Sequence, residues 1–270
     1  MFGRQIFILT LLIFFGSVVG AAAQNAIQMA PERSRMVVEA LQNSEWKPLK
    51  SGMDGMEVQA GSVSLMALRI DPSKFAFSLM VQSGPDGERV ENFGERSNAV
   101  VAINGGFFGE KEPGKDLFSV GYLKIGKLRH SKAWSKSGGY LVIRDGNLAI
   151  VPTMAGVPKN AEAILQSKPL LIEPGGIWAM NTNQSNMRRR SIVCLQKDNT
   201  AILVVVTGLG MSLFEAGWLM REGTVGGYFD CDSALALDGG GSTQIWMRNE
   251  KLSGVRGENA VHNALLINNR

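Results

Sequence analysis

Residues 234–243 read ALALDGGGST: alternating Ala and Leu run into one aspartate, three glycines and two hydroxyls. A strand ending at Asp238 would hold its carboxylate rigidly at a sheet edge. Gly239, Gly240 and Gly241 would then let the backbone approach a ligand closely, and successive amides can form an anion-binding concavity. Ser242 and Thr243 add hydroxyls. The Gly-Lys-Ser/Thr of nucleotide-hydrolase phosphate loops does not follow. The competing reading is a tight turn whose aspartate accepts its own amides. Val100–Ile103 has the same design, an apolar run leading to Asn104, Gly105, Gly106, Phe107 and Phe108. A carboxamide both donates and accepts, which suits sugar hydroxyls, while Asn-Gly is equally a hairpin signal. Arg190 stands before the apolar run Ile192–Leu195, where a guanidinium can take phosphate through two parallel hydrogen bonds. Arg188 and Arg189 read as solvated. Gln166, in the stretch Leu165-Gln166-Ser167-Lys168-Pro169, faces a ligand or caps a bend.

In this order and spacing, the four stretches together with Val261-His262-Asn263-Ala264-Leu265 resemble the phosphodiester glycosidase family, over roughly residues 60–268. Leu237-Asp238-Gly239-Gly240-Gly241-Ser242 is the most specific piece, and the chain looks closer to exported bacterial members than to the lysosomal one. The resemblance implies a hydrolase that cleaves a sugar–phosphate bond at the anomeric carbon. Ordinary glycosidases need two carboxylates because an alcohol leaves poorly. A phosphate monoester leaves far better, so one carboxylate with cationic and amide stabilisation of the departing phosphate would suffice. On this reading Asp238 is base or nucleophile and Arg190 binds phosphate oxygens. Asn104 and Gln166 hold sugar hydroxyls, and Gly105, Ser191, Gly239, Gly240 and Ser242 complete the substrate-binding set. A second carboxylate has four candidates. Asp230 and Asp232 are expected at the far end of the Asp238 strand, while Glu110 and Glu173 lie in loops. One departure from the family pattern is the lack of a basic residue directly before Val-x-Asn, where Glu258-Asn259-Ala260 stand; Arg256 would act from a shifted position. Two other readings are a phosphodiesterase attacking phosphorus and a non-catalytic binder of glycan or exopolysaccharide. The first usually recruits metal ions. No metal site is expected, since the chain has two histidines, His130 and His262, and no Cys-x-x-Cys or His-x-x-x-His spacing. No cofactor is expected, with a divalent cation left open.

The elements that must position these groups are mostly strands. Val63–Ile70, Phe75–Val81, Val100–Ile103, Tyr140–Ile143 and Leu148–Val151 read as strands between turn signals. Asp145-Gly146 is a type I′ turn pair joining the last two. Ile192–Leu195 and Ala201–Val206 form another hairpin, and the continuous apolar run of the second implies burial on both faces. Ser212 to Glu215 is a capping box opening a helix over about 213–221, with Gly223 closing it. The expected fold is α+β, a mixed, strand-rich twisted sheet with a few flanking helices.

The chain of 270 residues is 45% hydrophobic and 19% charged, with 32 glycines, so it folds and turns often. A formal net charge of +4 with no long basic tract argues against a nucleic-acid partner. Arg4, the apolar run Ile6–Val19 and Ala21-Ala22-Ala23 make the pattern of a secretory signal peptide. Residues 1–23 are therefore read as that signal, 24–59 as a lead-in holding a short helix, and 60–270 as the phosphodiester glycosidase-like domain. The expected place is periplasmic or secreted, with no membrane span after cleavage. An oxidising compartment would permit Cys194 and Cys231 to pair, but two buried thiols are an equal reading.

Overall fold

A computed structural model of the protein describes residues 30–270 apart from 135, 183–185, 249–251 and 253. The expected signal segment lies outside the described residues. The fold is α+β and strand-rich, and every strand pairing among the described residues is antiparallel. The largest sheet runs, edge to edge, β1 (Lys47–Lys50), β2 (Met53–Ala60), β3 (Val63–Ile70), β16 (Ala201–Met211), β15 (Arg188–Leu195), β17 (Ser233–Ala236), β13 (Leu170–Glu173) and β14 (Ile177–Trp178). A four-stranded sheet has the order β18 (Ile245–Met247), β5 (Val101–Asn104), β19 (Asn263–Asn269) and β4 (Phe75–Val81). A five-stranded sheet has β11 (Asn147–Pro152), β10 (Gly139–Arg144), β12 (Ala163–Ser167), β8 (Leu123–Ile125) and β9 (Leu128–Ser131). β6 (Phe108–Gly109) and β7 (Phe118–Ser119) make a small ribbon. Among the described residues three α-helices flank these sheets: α1 (Glu32–Gln42), α2 (Val90–Ser97) and α3 (Leu213–Met220).

The period-2 pattern of the central strands decides the layering. Val193 and Leu195 of β15, with Leu203 and Val205 of β16, face a core shared with the two smaller sheets. Ile192 and Cys194, with Ile202, Val204 and Val206, face the opposite core under α1 and α3. The continuous apolar run therefore is a strand buried on both faces. α2 covers the outer face of the four-stranded sheet through Val90 and Phe93.

Local chemistry set several boundaries as read. Asp145 and Gly146 both take positive φ, 49° and 69°, in the β10–β11 turn. The Ser212 hydroxyl accepts from the Glu215 amide at 3.1 Å while the Glu215 carboxylate accepts from the Ser212 amide at 2.8 Å. Gly223 does not close α3: the helix ends at Arg221 with φ −70°, and Gly223 opens a 3-10 turn whose left-handed residue is Gly226. Residues 30–59 are built into the same fold: α1 packs on the large sheet and β2 pairs along its whole length with β3. Cys194 and Cys231 form a disulfide with Cα atoms 5.6 Å apart, tying β15 to the approach of β17.

Candidate active site

Asp238 stands where the chain crosses from one sheet to another. Leu237 still bonds the large sheet, its amide donating to the Ser191 carbonyl at 2.9 Å. One residue on, the Asp238 amide donates to the Gly105 carbonyl at 3.0 Å, just past the end of β5. The glycines complete the crossing, and the chain then pairs with β5 as β18. β17 itself ends at Ala236, two residues short of the aspartate. The carboxylate is thus fixed at a junction of two sheets instead of at the tip of one strand.

Asn104 is the bracket of that junction. Its side chain is fully buried; Nδ2 donates to the Asp238 carbonyl at 2.8 Å, and Oδ1 accepts from Ser191 Oγ at 2.6 Å and from the Gln244 amide at 3.1 Å. This geometry turns Asn104 toward the protein and away from a sugar hydroxyl. Ser191, 1% exposed, serves the same bracket. Gln244 extends it: Oε1 accepts from the Val90 amide at 2.9 Å, and Nε2 donates to the Ser242 and Asn259 carbonyls. Gly105 is required by close packing, since a Cβ there would lie 2.0 Å from Asn263 Oδ1.

The Asp238 carboxyl is pushed above its ordinary 3.8 by burial, opposed by hydrogen bonds from the Ser242 hydroxyl and the Gly239 amide. The Gly239 amide lies 2.9 Å from Oδ1. Beyond it, the Gly240 and Gly241 amides donate to no group among the described residues, and Gly240 takes φ +62°. Two free amides are a fit cradle for an anionic oxygen. A side chain at Gly239 would crowd the Arg189 carbonyl at 2.8 Å.

Arg190 reaches the same loop. Nε donates to the Met211 carbonyl at 2.9 Å and one Nη to the Asn186 carbonyl at 2.6 Å. The other, Nη1, has no hydrogen-bond partner among the described residues; it lies 3.8 Å from where a Gly239 Cβ would be. Burial, then the neighbouring Arg188, lowers its pKa to about 10, with Glu215 opposing, so the guanidinium stays charged at neutral pH. Arg189 corrects the solvated reading: its side chain is 18% exposed and donates to the Thr243 and Arg256 carbonyls and to Glu258 Oε1. It clamps the 256–258 loop against the glycine loop.

The remaining expected residues are placed differently. Gln166 is fully buried, and its Oε1 accepts from the amides of Tyr122 at 2.9 Å and Trp134 at 3.0 Å. It thereby supports a wall in which the Trp134 ring meets Phe107 edge-on at 5.5 Å and Lys168 Nζ lies 3.7 Å above it. Glu110 accepts a turn amide from Gly114. Glu173 is paired at the far end of β13 from Leu170, and Asp230 and Asp232 precede β17, all remote from Asp238 along the strands. Glu258, whose Oε2 would lie 3.2 Å from a Gly241 Cβ, is the carboxylate beside the glycine loop. Arg256 is exposed, with its carbonyl taken by Arg189. Among the described residues no group of three or more His, Cys, Asp or Glu could hold a metal ion. Sequence reasoning gave no role to Gln244 or Asn263, whose positions became meaningful only once β18 and β19 were seen to flank β5.

A family model described as phosphodiester glycosidase matches residues 97–268. A hypothetical protein from Synechocystis is similar in structure, with TM-score 0.58 and 14% identity, over 84% of this chain and 64% of that one, less than two thirds of its length. The zebrafish N-acetylglucosamine-1-phosphodiester alpha-N-acetylglucosaminidase catalytic domain, auto-inhibited by its pro-peptide, is similar at TM-score 0.58 and 16% identity, over 90% of this chain and 94% of that one. At these identities the likeness concerns the fold. No curated protein matches the chain.

Proposed function

The chain belongs to the phosphodiester glycosidase family, and from that premise we propose that it is an exported hydrolase that breaks a sugar-1-phosphate diester at the anomeric carbon. The observation that carries this reading is the placing of one burial-raised carboxyl, Asp238, beside unpaired amides and a charged guanidinium. The carboxylate faces the developing positive charge at the anomeric carbon as base or nucleophile. The Gly240 and Gly241 amides and Arg190 Nη1 receive the phosphate oxygens as charge builds on them, while the Ser242 hydroxyl donates to the Asp238 carboxylate. A phosphate monoester departs without being protonated, so a second carboxylate is not needed. Asn104, Ser191 and Gly105 fix the backbone of Asp238. Gln166 acts through the Trp134 wall, against which the apolar face of a sugar ring can stack.

The natural substrate we propose is a glycan or glycoconjugate of the cell envelope, met in the periplasm or outside the cell. The signal-like first 23 residues and the disulfide support that place. No described helix is long and apolar enough to cross a membrane. The proposed reaction uses no cofactor, so a chelator is expected to leave turnover unchanged. The reading is tested by following methyl N-acetylglucosaminyl-1-phosphate by phosphorus NMR. Methyl phosphate with free sugar is the expected product pair. Sugar 1-phosphate with methanol would overturn the reading in favour of attack at phosphorus.

A further inference from the structure

Asn263 makes two contacts that together fix the state of a neighbouring ring. Its Oδ1 accepts from the Gly106 amide at 2.8 Å. An amide N–H can only donate, so the oxygen must be the atom on that side, and Nδ2 is turned the other way. There it meets His262 Nδ1 at 3.2 Å. Nδ2 has no lone pair to offer, so Nδ1 must accept, and the ring proton must sit on Nε2. The ring is nearly buried, at 7% exposure. Protonating Nδ1 would set two N–H groups against each other, which adds to the burial and the nearby His130 that lower the His262 pKa to about 4. Glu88, whose backbone bonds Val261, has its carboxylate paired with Arg96 at 2.5 Å. No carboxylate is bonded to the imidazole among the described residues.

The place of this pair matters. Gly106 follows Gly105, whose carbonyl holds the Asp238 amide and whose own amide bonds the Asn263 carbonyl at 2.9 Å. One peptide therefore lies between the aspartate on one side and the Asn263–His262 pair on the other. Phe107, the next residue, leads to the Trp134 wall.

We infer that His262 is a neutral imidazole, locked by Asn263 with its proton on Nε2, and that it donates a hydrogen bond from Nε2 to the sugar phosphate on the Gly106 side of the site. This rests on the proposed function for the ligand class; the tautomer stands without it. Asn263 is the positioning residue, since it acts through the ring. The donor keeps its proton throughout and no bond to it is made or broken. Such a fixed neutral donor serves from near pH 5 upward without a change of charge, unlike a solvent-exposed histidine.

The test is nitrogen-15 NMR of the two histidine rings in the full chain beyond the signal segment, with α-N-acetylglucosamine 1-phosphate as the probe. The expected ligand-free spectrum has an unprotonated Nδ1 and a protonated Nε2 for His262 at pH 6–8, and the probe shifts the Nε2 proton. Asn263→Asp keeps an acceptor for Gly106 but offers the ring a second oxygen, so it moves the proton to Nδ1 and raises the ring pKa. His262→Leu is expected to lose on the order of 10- to 100-fold in kcat/KM, as for a hydrogen bond to a charged group, with partial recovery in His262→Gln. A proton on Nδ1, or a charged ring at pH 7, would overturn the lock. A ring indifferent to the probe while the Gly240 and Gly241 amides respond would remove His262 from the site and leave the glycosidase reading intact. Indifference of ring and amides together would overturn both.

Discussion

Asp238 pays for its place with an unfavourable ionisation, and that gives it two separable signatures. Its folded-state pKa is raised by burial, so the native state holds the proton more tightly than the unfolded chain. The ionised form therefore costs stability as pH rises above the ordinary 3.8. Asp238→Asn is expected to lose about 10²- to 10⁴-fold in kcat while its melting temperature stays level or rises at pH 7. The acid limb of kcat/KM should lie above the ordinary 3.8 in the parent and vanish in the variant. A variant that kept full turnover with the same pH profile would make the aspartate structural. His262 has the opposite sign. Its folded pKa, about 4, is below the ordinary 6.5, so the unfolded chain takes the proton first. Its contribution is full above pH 6.5 and is lost as pH falls toward 4, which urea melts across that range will show as a falling midpoint.

At the scale of elements, the site is a crossing between sheets, and glycines make it possible. Gly105→Ala would drive a methyl into Asn263 Oδ1 at 2.0 Å, so a loss of at least 10-fold in kcat/KM and a cost of about 1–3 kcal/mol are expected from overpacking, read by kinetics and by denaturant titration. Ser212→Ala removes one half of the α3 capping box and should cost about 1 kcal/mol with little change in KM. The sequence legibly showed the strands that deliver Asn104 and Asp238, because alternation and turn pairs are local signals. It showed the α3 N-terminus for the same reason. What it could not show was the partner of each polar group. Asn104 and Gln166 have the residue type of sugar binders, yet their carboxamides are spent on backbone groups 134 and 44 residues away. A run of three arginines carries no sign of which one turns inward, and here it is Arg189. Gly223 misled because a glycine after a helix is a common stop, and here the left-handed turn is made three residues later.

For the whole molecule, two cores share one central sheet, and the disulfide ties that sheet to the segment that leads into Asp238. Closing a loop of 37 residues restricts the unfolded chain, so reduction, or a Cys194→Ala/Cys231→Ala pair, should lower stability by about 2–4 kcal/mol. Activity below the new midpoint should persist, because neither sulfur touches the aspartate's bracket. The bond proposed to break joins the anomeric carbon to oxygen, and hydrolysing a glycosyl phosphodiester in water enriched in oxygen-18 tests this. Label is expected in the released sugar and none in the phosphate; label in the phosphate would mean attack at phosphorus and overturn the glycosidase reading.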